Sequence, residues 1–141
     1  MSNGRFFLDT AYVQALLNAR DQYHIPAQVL FPRVREAKEV WVTVAVLTEI
    51  GNALARSYRA EVVVFVERCY TTPNIKVVSV DAVLFHRALE LYRSRADKTW
   101  GLTDCFSFVV MQDHRLTDAL TTDEHFQQAG FRALLRGDSS S

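Results

Sequence analysis

The sequence predicts an α/β fold, a sandwich built around a largely parallel sheet, and three observations predict it. Short β-branched or aromatic runs alternate four times with segments of helical period, and the connections between them are short. The chain has 141 residues, enough for one domain that buries roughly 70% of its unfolded surface without disulfides. Its apolar content of 49% is that of a soluble globular protein, not a disordered one.

"RFFL" (5–8) is a short apolar strand, after which "DTAYVQALLNARD" switches to helical period. "PAQVLFPRVREAKE" (26–39) reads as amphipathic helix, and its interior Pro32 predicts a kink or a split. "VWVTV" (40–44) is a strand and "VLTEIGNALAR" a helix. "RAEVVVFVER" is two-sided: its β-branched content says strand, whereas its length and flanking charges say helix, and helix is the reading adopted. "IKVVSV" (75–80) is a strand. Asp81 then caps "AVLFHRALELYRSR", where Leu84, Ala88 and Leu91 share one face. "LTDCFSFVVMQDH" is a buried helix with Thr103 as its expected N-cap. "DALTTD" (118–123) holds a short strand, "EHFQQAG" a short helix ended by Gly130, and "FRALL" (131–135) a last edge strand.

A single domain over residues 1–136 follows, with "GDSSS" (137–141) expected to be a disordered tail. Sixteen basic residues balance sixteen acidic ones, so no global basic field for nucleic acid exists. Local binding stays open, because a bound divalent cation offsets acids gathered at one site. The first ten residues contain no signal-peptide core, and the longest apolar run, "VVVFV" (62–66), is far below the ~20 residues of a membrane span. Cys69 and Cys105 have no partner at motif spacing and read as buried, reduced thiols of a cytoplasmic protein.

In parallel sheets, ligands bind outside the carboxyl ends of the strands, so acids there draw attention. Asp9 ends the first strand and Asp123 the strand in "ALTTDEHF", where Thr121 and Thr122 add hydroxyls; each acid would also serve as a helix N-cap. Glu49 lies in the core-like segment "VAVLTEIGNALA". Its helical neighbours are Ala45, Val46, Asn52 and Ala53, with no Lys or Arg at pairing distance. An ionised carboxylate in an apolar setting costs several kcal/mol unless it is paired or binds a cation. Asp104 lies in the first turn of an otherwise apolar helix, where the helix dipole alone would favour it by about 0.3–1 kcal/mol. Four converging carboxylates repel one another. A hard divalent cation with oxygen ligands, Mg²⁺ or Mn²⁺, resolves that repulsion and suits phosphate chemistry. His24, His86, His114 and His125 have no paired spacing, which argues against zinc.

The ordered set "FFLDTA", "TEIGNAL", "LTDCFSFVVM" and "LTTDEHFQQAGF" resembles the PIN-domain ribonucleases, and most closely their VapC toxin branch in bacterial toxin–antitoxin systems; the match runs from residue 5 to about residue 135. The resemblance implies a three-layer α/β/α sandwich with a mainly parallel central sheet, and a Mg²⁺- or Mn²⁺-dependent endoribonuclease. It implies Asp9 and Asp104 as the principal metal ligands, with Glu49 and Asp123 completing the cluster. Thr10, Asn52, Ser107 and Thr122 match small polar positions around it. Asp97 matches a recurring upstream acid, although a loop or capping role explains it equally simply.

The resemblance further implies an RNA substrate, an inhibitory antitoxin protein that covers the acidic groove, and a homodimer formed through the N-terminal helices. Those helices carry Tyr12, Leu16, Leu17, Val29, Leu30 and Phe31, more apolar surface than one core face requires. Arg20, Arg33, Arg35, Arg56 and Arg59 read either as a phosphate track or as an ordinary solvated surface. The alternative within the fold is a catalytically inactive module that binds RNA or protein. Receiver domains and haloacid-dehalogenase-type phosphatases fit poorly, because they need a second acid at or near Thr10 or Ala11.

Overall fold

The computed structural model describes residues 4–136; the tail expected at 137–141 lies outside them. In chain order the elements are β1 (Arg5–Leu8), α1 (Thr10–Leu17), α2 (His24–Arg35), β2 (Glu39–Thr43), α3 (Val44–Ala53), α4 (Arg59–Thr71) and β3 (Ile75–Val78). These are followed by α5 (Ala82–Ser94), α6 (Leu102–Asp113), β4 (Asp118–Leu120), α7 (Glu124–Gln128), β5 (Arg132–Ala133) and a closing 3₁₀ turn (Leu134–Arg136).

The five strands pair in the order β3-β2-β1-β4-β5, and every pairing is parallel. The chain steps from β1 to β2 to β3, crosses the sheet, and resumes at β4 and β5 on the other side of β1. With the right-handed crossovers that parallel sheets require, α1–α4 form one helical layer and α5–α7 the other. This is the α/β/α sandwich the sequence led us to expect. Neighbouring strands β1 and β4 therefore send the chain to opposite faces, which opens a crevice at their carboxyl ends. The amide of Asp9 bonds the Leu120 carbonyl at 3.2 Å and closes the two strand ends together there.

Local chemistry explains most element boundaries. Thr43 caps α3 by accepting from the Val46 amide, and Asp81, as expected, caps α5 by accepting from the Leu84 amide. The amides of Gly130 and Phe131 bond the carbonyls of Gln127 and Phe126, and Gly130 takes the left-handed φ of +98° that ends α7. Pro32 neither splits nor ends α2, which runs on to Arg35. The carbonyl its missing amide would have bonded belongs to Gln28, an exposed residue open to solvent. "RAEVVVFVER" is helix, within α4, with Val62 and Cys69 inward while Val63 and Val64 are exposed.

One expectation is corrected. Thr103 is not the N-cap of α6; Gly101 is, because the Asp104 carboxylate reaches back three residues to accept from the Gly101 amide at 3.0 Å. Helix α6 is buried without a break from Cys105 to Met111. On it Phe108 meets Phe126 edge-on, with centroids 5.0 Å apart, and Trp100 at 4.9 Å. These rings fix the start of α7 against α6. Among the described residues, no helix is long and apolar enough to cross a membrane.

Candidate metal centre at the carboxyl edge of the sheet

Asp9 follows β1 directly and is 7% exposed. It makes no capping bond to α1, so the helix-cap reading does not account for it. Instead its Oδ2 accepts from the Thr121 hydroxyl at 2.7 Å, across 112 residues of chain. Burial pushes the Asp9 carboxyl up to about 7; the Thr121 hydroxyl and the Thr10 amide oppose the rise, and the charges of Asp104 and Asp123 add to it.

Asp104 enters from the first turn of α6. Its Oδ2 accepts from the Gly101 amide and lies 3.0 Å from the His125 Nδ1. Burial raises its pKa; the Gly101 bond and His125 pull the other way, and Asp123 adds repulsion. Asp123 caps α7 through Oδ1, which accepts from the His125 amide at 2.8 Å. For Asp123 the capping role and a place in the cluster thus coexist. Single ligand atoms of Asp104, Asp123 and His125 all lie within 4.8 Å of one another.

Glu49 is joined less directly. Its Oε1 accepts from the Thr10 hydroxyl at 2.9 Å, and Thr10 is the residue after Asp9. The expected apolar setting is corrected: Glu49 is exposed, as are Asn52 and Ala53 beside it. The core face of α3 is Val46, Leu47 and Ile50, and Glu49 stands on the flank that looks toward α1. No burial penalty therefore marks this acid.

The structure thus brings Asp9, Asp104 and Asp123 together, with Glu49 tethered through Thr10. One contributor escaped the sequence reading: His125 was set aside for lack of a paired histidine, yet it reaches two acids through space. Of the two hydroxyls expected at this strand end, Thr121 is the one on Asp9; the Thr122 carbonyl accepts from Arg136. Ser107 is buried and bonds the Thr103 carbonyl, and Asn52 is exposed. Asp97 pairs with Arg95 in an exposed loop, so its local explanation suffices.

The donor set fits a hard divalent cation. Asp104 and Asp123 are half-buried beside buried Asp9, and the pKa values of Asp9 and Asp104 are raised by burial first and by neighbouring acids second. Among the described residues, none of the four acids has a Lys or Arg ion pair. A separate depression between α1 and the end of α3 is lined by Gln14, Asn18, Asp21, Ala53 and Arg56. Arg33 and Arg35 are turned elsewhere, over the rings of Phe6 and Phe31 at 5.7 and 5.9 Å. Of the apolar residues expected at the surface of α1 and α2, Val29 and Phe31 are exposed, while Tyr12 is a core residue whose hydroxyl donates to the Ala27 carbonyl.

Comparison with known proteins places these features in context. The family model described as the PIN domain matches residues 6–132. The chain is similar to the crystal structure of Mycobacterium tuberculosis VapC20, a sarcin–ricin loop cleaving toxin, at TM-score 0.80 and 26% identity over 92% of this chain and 98% of that one. It also shares its fold with FitAB bound to the IR36 DNA fragment, at TM-score 0.61 and 17% identity over 92% and 93% of the two chains. The FitAcB structure from Neisseria gonorrhoeae follows at TM-score 0.58 and 18% identity, over 91% and 94%. No curated protein matches the chain.

Proposed function

The chain belongs to the PIN domain family, and from that premise we propose that it is a Mg²⁺- or Mn²⁺-dependent endoribonuclease acting as the toxin of a toxin–antitoxin pair. The observation that carries this reading is the cluster of Asp104 and Asp123 beside buried Asp9, with Glu49 tethered through Thr10 and no Lys or Arg partner among the described residues. These four residues would hold the cation, which when bound supplies charge neutralisation at a phosphodiester and acidifies water. The chain's own groups do the rest. Thr121 and Thr10 fix one oxygen each of Asp9 and Glu49, and Gly101 fixes one of Asp104, so the acids are oriented before any ligand arrives. Carboxylate oxygens not engaged in this way can orient a water for in-line attack on the phosphate. The depression with Arg56 offers a path for the RNA backbone.

Similarity to the toxin VapC20 supports an RNA substrate in the same broad class and, with it, an inhibitory antitoxin partner. Exposed Val29 and Phe31 on α2 support a homodimer through the N-terminal helices. The test is incubation of purified protein with structured and single-stranded RNA, with Mg²⁺, with Mn²⁺ or with chelator. Metal-dependent cleavage that Asp9→Asn abolishes is expected. Equal cleavage by Asp9→Asn would sink the proposal and leave an inactive RNA- or protein-binding module as the better account.

A further inference from the structure

His125 holds two acids of the cluster at once. Its amide donates to Asp123 Oδ1 at 2.8 Å and its ring Nδ1 lies 3.0 Å from Asp104 Oδ2. On the far side of the ring, Nε2 lies 3.2 Å from the Thr99 hydroxyl, in the connection between α5 and α6. The ring is 23% exposed, and Phe126 beside it is fully buried, so the backbone that carries it is pinned.

The bonds decide what the ring can do. An ionised carboxylate only accepts hydrogen bonds, so Nδ1 carries a hydrogen toward Asp104 Oδ2. With that hydrogen in place Nδ1 has no lone pair to offer a cation. Both donors to Asp104, the Gly101 amide and the His125 ring, fall on Oδ2, which leaves Oδ1 as the oxygen with lone pairs on offer. Proximity alone would make His125 a third ligand beside Asp104 and Asp123. The hydrogen-bond directions make it something else.

We propose that His125 is a positioning residue, not a ligand: it holds Oδ2 of the Asp104 carboxylate through Nδ1–H and leaves Oδ1 for the cation. This rests on the reading of the acid cluster as a cation site. It assigns the "DEH" of "TTDEHF" a job split between backbone and side chain. The amide half of the clamp survives any substitution at 125 other than proline, and only the ring half is removed.

The test uses three proteins, wild type, His125→Ala and His125→Asn, titrated with Mn²⁺ by calorimetry. The Asn side-chain amide nitrogen takes the place of Nδ1 as a donor, so His125→Asn should retain Mn²⁺ affinity to within a few-fold. His125→Ala should lose about tenfold or more, the usual effect of removing a group that orients a ligand. Thermal melts check that both variants fold. Spin-echo spectroscopy of Mn²⁺ bound to the wild type should show no directly coordinated nitrogen, and imidazole ¹⁵N shifts of the metal-free protein should report the Nδ1–H tautomer. Directly coordinated nitrogen, an Nε2–H tautomer, or equal affinity in wild type and His125→Ala would each overturn the proposal while leaving the cation site intact. Absence of Mn²⁺ uptake by the wild type would overturn the cation site itself, and the positioning role with it.

Discussion

The two edges of the sheet carry similar numbers of acids and treat them in opposite ways. At the amino edge, Glu39 pairs with Arg5 at 2.8 Å, Asp118 with Arg132 at 2.8 Å, and Asp113, at the end of α6, with Arg87. The Trp41 indole and Arg5 hold the Glu39 carboxyl below its ordinary range, and Arg87 does so for Asp113. At the carboxyl edge, Asp9 and Asp104 are more buried and their pKa values are raised. Hydroxyls, backbone amides and an imidazole orient the acids there, and none of these brings a fixed positive charge. One edge is satisfied by its own arginines. The other is oriented but left short of positive charge, the condition of a site built for a cation from outside.

The sharpest way to break this contrast is to neutralise one acid at each edge. Asp104→Asn should reduce metal-dependent RNA cleavage by about a hundredfold or more, above the range for groups that merely orient ligands. Asp118→Asn should leave cleavage unchanged, as read in the same assay.

Stability should respond in the opposite sense. The Asp9 pKa is raised from 3.8 to about 7, so the group favours folding fully below about pH 4 and that contribution is lost as pH rises through 7. The shift corresponds to roughly 4 kcal/mol. In chelator, wild type should therefore melt lower at pH 8 than at pH 5. Asp9→Asn should remove most of this pH dependence and melt above wild type at pH 8, although it is inactive. A metal-free wild type that melts equally at both pH values would remove the claim that Asp9 is a repelled, buried acid.

Glu49→Gln tests the outlying member. It should weaken Mn²⁺ binding by about tenfold while shifting the melting temperature little, since the side chain is exposed and the amide can still accept from Thr10. A large loss of stability would mean that Glu49 has a structural role. The smallest effect is expected at the amino edge. Asp118→Asn should cost about 0–1 kcal/mol in denaturant unfolding, as partly exposed ion pairs do.

Much of this architecture is legible along the chain because it depends on local signals. Asp81 before an amphipathic run and Gly130 after "EHFQQA" mark helix ends through bonds that span a few residues. The acids themselves are visible because strand ends in a parallel sheet are predictable places. What holds them is not visible. Thr121 meets Asp9 across 112 residues, and Thr10 meets Glu49 across 39, so no spacing rule exposes either contact. Glu49 was singled out for a reason that fails, burial, because the apolar residues around it in sequence line a different face of α3. The histidine count misled in the same way. A lone His125 looks incidental until the fold sets α7 against the start of α6.

The central claim, that the carboxyl edge is a cation site and the amino edge is not, is tested most directly by Mn²⁺ calorimetry at pH 8 on wild type, Asp104→Asn and Asp118→Asn. The account predicts saturable binding in wild type and Asp118→Asn and its loss in Asp104→Asn. Binding absent from wild type, or equal in all three, would contradict it.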